Sequence, residues 1–213
     1  MTGDHYFSGT PESELTIKSI TVELAGAQHS LTSANGIFSP DRIDLGTRVL
    51  LSNTPPPPAC GHLLDLGCGW GPIALTLGLL SPDATVWAVD VNERALDRVR
   101  SNAKTLGLTG VRAVLPQEIP DEVRFRAIWS NPPIRVGKNE LHNMLQHWIP
   151  RLVPGSDGHF VVQRNLGSDS LQRWLRDELN DEFSVSRAAS SKGYRVLRTR
   201  RHTGSTEPID VVE

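Results

Sequence analysis

Cysteine, aromatic residues and long apolar runs are all scarce in this sequence. It has two cysteines, Cys60 and Cys68, which are too few for a disulfide framework. Both are therefore expected to be free thiols in a reducing compartment, which predicts a cytoplasmic protein. No stretch approaches the roughly 20 apolar residues that a membrane helix needs, and the N-terminal residues carry no secretory signal pattern. These absences argue against a disulfide-stapled secreted domain and against a membrane partner.

A strong charge of either sign is also lacking, because the formal net charge is -2. This balance argues against nucleic-acid binding through bulk charge, but charge can still be local. Basic residues cluster in two segments, which are either solvated surface or local contacts with an anionic partner. The clusters are Arg124, Arg126, Arg135 and Lys138, then Arg187, Lys192, Arg195, Arg198, Arg200 and Arg201. No metal site is predicted, and the pattern indicates no particular oligomeric state.

The length of 213 residues fits one medium-sized domain with a small extension. Four prolines at 55–58 must be extended and read as a stiff linker. We therefore predict an N-terminal extension over 1–54, a main domain over 55–202 and a disordered tail over 203–213. In the extension, apolar alternation over 15–24 predicts a strand, which a turn at Gly26 connects to a returning strand over 29–32. A short helix over 44–51 follows, with Asp44 as its cap.

Strands and helices alternate in the main domain, which predicts an α/β fold with a mostly parallel sheet and helices on both faces. Seven strands are predicted, and the last two read as an antiparallel hairpin because Lys192–Gly193 separates them. The predicted strands cover 63–66, 85–89, 111–115, 126–130, 159–163, 183–188 and 194–199. The predicted helices cover 72–80, 93–106, 141–152 and 170–179. A ligand of such a sheet is expected beyond the carboxyl ends of its strands.

A glycine-rich loop follows the first strand of the main domain. Its sequence is Asp65-Leu66-Gly67-Cys68-Gly69-Trp70-Gly71. The alternating glycines permit a tight turn and let the backbone approach a ligand without side-chain clash. Asp65 would repel the phosphates that dinucleotide-binding loops hold, and it suits a cationic ligand that carries an ammonium and a sulfonium. The loop therefore predicts a ligand site of that charge.

Asp90 ends the second strand of the main domain, roughly 20 residues after the glycine loop, and Val91 and Asn92 follow it. An acid at this place accepts hydrogen bonds from both hydroxyls of a ribose. A competing interpretation makes Asp90 the cap of the helix that begins just after it. The combination with the glycine loop favours the ribose role.

The tetrapeptide Ser130-Asn131-Pro132-Pro133 follows the fourth strand of the main domain. Two successive prolines remove two backbone donors, which leaves the carbonyl of Pro132 without a partner in the sheet. This carbonyl and the amide oxygen of Asn131 are two acceptors that suit an NH2 group and can aim its lone pair at a methyl donor. Such an amine is a poor nucleophile, so positioning is expected to supply most of the acceleration. The alternative is a proline-rich strand exit with Asn131 as a turn residue.

Together these motifs resemble the class I S-adenosylmethionine-dependent methyltransferases that act on amino groups. More narrowly, the sequence resembles the small methyltransferase domain of the ribosomal RNA small subunit methyltransferase C type, over roughly residues 4–201. The segments that carry this likeness are 5–8, 36–39, 41–47, 131–138 and 192–194.

The resemblance implies a Rossmann-like fold, S-adenosylmethionine as cofactor, and ribosomal RNA or the small ribosomal subunit as partner. The implied reaction methylates the exocyclic 2-amino group of a guanine in 16S RNA. The resemblance also implies that Phe38, Asp44, Gly46 and Thr47 wrap over the cofactor. Gln117 is a candidate for the adenine contact, since many members have an acid in that segment. Ile134 stands where an aromatic residue often stacks on the base, and Arg135 and Lys138 are candidates for phosphate contacts.

Three other functions remain open at this stage. A protein glutamine-amide methyltransferase would use the same tetrapeptide, but Ile134 and the strand-like extension argue against it. A small-molecule methyltransferase would tend to carry an aromatic lid, whereas aromatic residues make up 6% of this chain. A catalytically silent cofactor-binding module need not keep Asp65, Asp90 and Asn131, so their presence argues against this function.

Overall fold

A computed structural model describes residues 14–204 of the chain, with the side chain of Arg135 excepted. The motif at 5–8 and all but the first two residues of the predicted tail lie outside this range. Within it, no helix is both long and apolar enough to cross a bilayer. Cys60 is an exposed free thiol and Cys68 a buried one.

The N-terminal part forms a two-stranded antiparallel hairpin and one helix. Strand β1 spans Ile17–Leu24 and β2 spans Ala27–Ala34, joined by a turn in which Ala25 and Gly26 have φ of 49° and 80°. Helix α1 spans Leu45–Asn53, and the carboxylate of Asp44 caps it by accepting from the backbone N–H groups of Gly46 and Thr47. The alternation, the turn and the cap predicted from the sequence are confirmed.

The rest of the chain forms a seven-stranded sheet in the order β5-β4-β3-β6-β7-β9-β8. Its strands are β3 Cys60–Leu66, β4 Asp83–Val89, β5 Val111–Val114, β6 Phe125–Ser130, β7 Leu152–Gln163, β8 Phe183–Ser191 and β9 Tyr194–Arg201. Its helices are α2 Pro72–Leu80, α3 Glu93–Thr105, α4 Lys138–Trp148 and α5 Ser168–Glu178. The pairs from β5 to β7 are parallel, and β9 runs antiparallel to both of its neighbours. This confirms the predicted parallel sheet with a terminal hairpin.

Apolar side chains fill a layer on each face of the sheet. Helices α1, α2 and α3 cover one face, where Leu50, Ile73 and Val99 are buried against strand residues such as Leu63. Helices α4 and α5 cover the other face through residues such as Leu145. The central strands are buried on both faces, which explains their nearly continuous apolar sequences.

The predicted helix over 141–152 differs from the structure at both ends. Helix α4 begins at Lys138 and ends at Trp148, and a single 3-10 turn precedes β7, which begins at Leu152. Pro150 explains the early end, because proline lacks the N–H that an α-helix needs. The apolar pattern predicts only 159–163 of strand β7, which spans Leu152–Gln163, because Pro154 and Gly155 interrupt that pattern.

A buried histidine on β7 makes the stability of this fold depend on pH. Burial lowers the pKa of His159 from 6.5 to about 4, with Asp157 opposing and Arg198 adding to the shift. Unfolded chains take up this proton below about pH 6.5, whereas the folded protein takes it up near pH 4. We therefore expect the free energy of unfolding to fall by about 3 kcal/mol over this interval. Urea unfolding at pH 7.5 and at pH 4.5 measures this loss of stability. If the His159→Leu variant lost as much stability between the two pH values as the wild type, the prediction would be contradicted.

Candidate functional site

A cavity of about 950 Å³ opens at the carboxyl ends of β3, β4, β6 and β7. This is the place where ligands of such sheets bind. The glycine loop, Asp90, Asn131 and the two following prolines all contribute to its lining. The structure therefore brings the three sequence motifs to one cavity.

The glycine loop turns sharply between β3 and α2. Gly67, Gly69 and Gly71 have φ of 77°, 54° and 98°, which is backbone that favours glycine. The N–H groups of Gly67 and Cys68 both donate to the carbonyl of Val89, at 2.8 and 2.9 Å. The N–H of Gly69 donates to Asp90. These loop donors are therefore engaged within the protein and form no open cradle for a phosphate.

Asp90 presents its carboxylate to the cavity. Its Oδ2 accepts from the N–H of Gly69 at 2.9 Å, and its Oδ1 accepts from the N–H of Asn92 at 3.0 Å. Each oxygen has further acceptor capacity for a ligand hydroxyl. Burial raises the pKa of Asp90, and the backbone donors oppose that shift. The cap of α3 is Asn92, whose side chain accepts from the N–H of Arg94, so Asp90 is not the cap.

Two other predicted loop residues lie beneath the cavity. The side chain of Asp65 is fully buried, and its Oδ2 accepts from the N–H of Ala74 in the first turn of α2 at 2.8 Å. Burial raises its pKa well above the ordinary value. Burial also raises the pKa of the Cys68 thiol. Of the two acids that the sequence motifs predict for this site, Asp90 lines the cavity and Asp65 does not.

Asn131 is held by the N-terminal part of the chain. Its Nδ2 donates to Oδ2 of Asp44 at 3.0 Å and to Oγ1 of Thr47 at 3.1 Å. Because both donors of the amide are used in these bonds, Oδ1 is the group left for a ligand. Asp44 also lines the cavity, whereas Thr47 is buried and lines a separate space of about 20 Å³ behind it.

The prolines after Asn131 turn the chain across the cavity floor. The carbonyl of Pro132 has no partner in the sheet, as predicted, but it accepts from the N–H of Ile134 at 2.8 Å. A carbonyl has two lone pairs, so a second donor can still bind it. Ile134 lines the cavity next to Pro133.

Several predicted contacts find no support in this geometry. Gln117 and Lys138 are exposed and do not line the cavity, and Pro116 is the lining residue of that segment. The structure describes the backbone of Arg135 but not its side chain. Gly46 is buried in the first turn of α1. Phe38 and Val91, at 42% and 48% exposed, lie at the cavity mouth.

Sequence reasoning missed two groups of lining residues. One face of α4 contributes Glu140, Asn143, Met144, His147 and Trp148. Their spacing of three and four residues on a helix right after the proline pair was the available signal. The second group is Gln163 and Tyr194, which pair across β7 and β9.

His142 lies on another face of α4. Its ring stacks on Trp174, with centroids 3.6 Å apart. Burial is the main cause that lowers its pKa. It packs helix against helix and does not line the cavity. Among residues 14–204, no three histidine, cysteine or acidic side chains are grouped as metal ligands.

Comparison with known proteins gives a consistent picture. The family model described as "Methyltransferase small domain" matches residues 28–198. The protein YbxB of Bacillus subtilis (strain 168) is 32% identical over 201 residues, which cover 93% of this chain and 98% of YbxB. The ribosomal RNA small subunit methyltransferase C of Shewanella oneidensis is 33% identical over 152 residues, which cover 69% of this chain and 43% of that protein.

A solved structure shares the fold. The T. thermophilus 16S rRNA N2 methyltransferase RsmC, in complex with AdoMet and guanosine, has a TM-score of 0.75 and 22% identity. The similarity covers 90% of this chain and 52% of that one. The chain thus spans nearly all of YbxB but about half of the two proteins that are named for ribosomal RNA methylation. The likeness confirms the predicted Rossmann-like fold.

Proposed function

Because this chain belongs to the methyltransferase small domain family, we propose that it is an S-adenosylmethionine-dependent N-methyltransferase that acts on ribosomal RNA. The proposed acceptor is the exocyclic 2-amino group of a guanine in the small-subunit RNA. The observation that supports this best is the orientation of Asn131, which leaves an amide oxygen for an amine in the same cavity as Asp90.

The residues present fit this cofactor. The glycine-loop donors are bound within the protein, and the acids Asp44, Asp90 and Glu140 line the cavity, so a phosphate would meet repulsion and few donors. A neutral ribose and a cationic amino acid group meet neither obstacle. Asp90 would hold the ribose hydroxyls, with Gly67 and Gly69 beside them and Phe38 and Val91 at the mouth. When bound, the cofactor supplies a methyl group on a positively charged sulfur.

The acceptor side follows from the strand order. Since β3 and β4 carry the cofactor residues, the acceptor base is expected on the other side of β6. There the carboxyl end of β7 lies beside the start of β9. Asn131 Oδ1 and the Pro132 carbonyl accept one hydrogen bond each from the two N–H groups of the amine and so orient its nitrogen. Tyr194 lies on this side and offers an aromatic surface, while Ile134 supplies apolar contact. No strong base lies among these groups, so orientation is the main catalytic contribution.

The RNA partner is supported by local positive charge. Five arginines of the β8–β9 hairpin share three carboxylates: Arg187 and Arg195 pair with Asp169, Arg198 and Arg200 with Asp157, and Arg201 with Glu182. The hairpin therefore keeps a net positive charge, to which exposed Lys192 adds. Arg164 is exposed next to the same turn, since its backbone N–H donates to Gly193. Lys192 and Arg164 lie beside the turn that leads into Tyr194, so they suit phosphate contacts near the cavity, whereas Arg198 and Arg200 lie toward the other end of β9.

The test is methyl transfer from labelled S-adenosylmethionine to unmodified RNA. Small-subunit RNA, large-subunit RNA and assembled small subunits are offered separately, and the products are digested to nucleosides. We expect label in 2-methylguanosine from small-subunit material. Label in another nucleoside would overturn the guanine assignment. Cofactor binding without label in any RNA would overturn the RNA substrate and favour a glutamine amide or a small molecule.

A further inference from the structure

The N-terminal part of the chain reaches the amide of Asn131 at two points. Nδ2 carries two protons, and its two neighbours are Oδ2 of Asp44 at 3.0 Å and Oγ1 of Thr47 at 3.1 Å. An ionised carboxylate can only accept, so the nitrogen of the amide must face Asp44. The opposite rotamer would lose the bond to Asp44 and set two oxygens against each other. Asp44 therefore decides which way the amide points.

Asp44 is itself held in place. The same Oδ2 accepts from the N–H of Gly46 at 2.7 Å and of Thr47 at 3.4 Å, which fixes it on the first turn of α1. A Cβ on Gly46 would meet the ring of Tyr194 at 2.9 Å, so glycine lets this turn sit against β9. Further along α1, Val49 and Leu50 are buried in the core. The sheet thus places the turn that orients Asn131.

Thr47 has no access to a ligand in the large cavity. Its side chain is buried, at 3% exposed, and it borders only the small space behind Asn131 among those described. Its hydroxyl oxygen is directed to Asn131. An effect of Thr47 on the reaction must therefore pass through Asn131 or through folding.

We infer that Asp44 and Thr47 are positioning residues that hold Asn131 with its oxygen facing the acceptor amine. The inference rests on the proposed function and differs from the role that family resemblance implies for both residues, which is to cover the cofactor. Its consequence is that the group facing Asn131 must be a hydrogen-bond donor, as an amine is, because the amide offers only its oxygen as an acceptor. The N-terminal part of the chain is then a part of the catalytic arrangement.

A matched pair at Thr47 tests this. Thr47→Val keeps the shape and loses the oxygen, whereas Thr47→Ser keeps the oxygen. We expect Thr47→Val to lower kcat about tenfold, with the Kd for the cofactor unchanged. Thr47→Ser should stay within about threefold of the wild type. A fall in kcat of equal size in both variants, or a matching loss of cofactor affinity, would overturn the inference.

A second pair separates positioning from helix capping. Asp44→Ser can still cap α1 but is too short to reach Asn131, and Asp44→Asn can do both through its amide oxygen. We expect kcat to fall about 30-fold in Asp44→Ser and to remain near the wild-type value in Asp44→Asn. Equal thermal unfolding midpoints of the two variants would show that the cap persists. Equal activity of both variants would overturn the role of Asp44.

A readout without substrate keeps this inference separate from the proposed function. The exchange of the two Nδ2 protons of Asn131 with water is measured by nuclear magnetic resonance, and Asn131→Ala assigns the signals. We expect slow exchange in the wild type and Thr47→Ser, and faster exchange in Thr47→Val. If the wild type methylates no RNA, the proposed function is wrong, but the exchange measurement still tests the positioning of Asn131. Equal exchange rates in Thr47→Val and Thr47→Ser would overturn that positioning.

Discussion

Replacing Asn131 with alanine is expected to abolish most methyl transfer and to leave cofactor binding nearly intact. The variant removes the amide oxygen that the bonds of Nδ2 leave for a ligand, so one of the two proposed acceptors for the amine is lost. Loss of one such oriented group costs about 100-fold or more in rate. We therefore expect kcat to fall by about that factor, while the cofactor Kd changes less than about threefold. Single-turnover transfer and calorimetry measure the two quantities.

The matched control is Asn139→Ala, which removes the same side chain from an exposed position in the first turn of α4. It should keep full activity. Full activity in Asn131→Ala, with cofactor affinity unchanged, would show that Asn131 is a turn residue only. The role proposed for Asp44 and Thr47 would then fail as well.

Replacing Asp90 with alanine is expected to destroy cofactor affinity. The carboxylate has room for two ligand hydrogen bonds beyond those to Gly69 and Asn92. Hydrogen bonds to a charged group contribute about 1.5 to 3 kcal/mol each, so losing two raises Kd about 100-fold or more. Asp90→Asn keeps one acceptor and should lose less, about tenfold. Calorimetric titration with S-adenosylmethionine measures all three Kd values.

Asp83 provides the control for this prediction, since it is exposed at the start of the same strand, β4. Asp83→Ala should bind the cofactor as the wild type does. Protonation of Asp90 removes its negative charge and turns one acceptor oxygen into a donor, and burial raises its pKa, so affinity is expected to fall on acidification before an ordinary aspartate would titrate. Unchanged affinity in Asp90→Ala would assign the ribose contact to another residue.

Local patterns in the sequence were enough for much of the fold. The apolar runs of β3, β4 and β6 and the periodicity of α3 identify buried elements, because each must bury its apolar face somewhere. Helix α4 shows where this fails. Its start at Lys138 has no side-chain cap, and its end depends on Pro150 together with the path into β7. The length of β7 follows from pairing with β6 and β9, which no local pattern contains.

The candidate site divides in the same way. The glycine loop, Asp90 and the Asn131-Pro132-Pro133 turn could be found because their chemistry lies in short segments that end neighbouring strands. Gln163 and Tyr194 could not, because their place depends on the strand order beyond β6. The face of α4 that lines the cavity did carry a signal, the spacing of three and four residues on one helix. Asp65 is expected at the site and is not there. It stands in the motif, yet its side chain lies under the loop and accepts a hydrogen bond from the N–H of Ala74.

The sequence by itself indicated the glycine loop, Asp90 and Asn131 as candidate site residues and indicated the family of the chain, since glycine, acid and proline positions restrict the backbone and the charge locally. Tertiary structure decided how they are used. Asp44 and Asn131 are 87 residues apart in the chain, yet a hydrogen bond of 3.0 Å joins them. That bond exists because α1 packs on the sheet beside the end of β6. The direction of the Asn131 amide is therefore a property of packing over a long sequence separation, which local patterns do not encode.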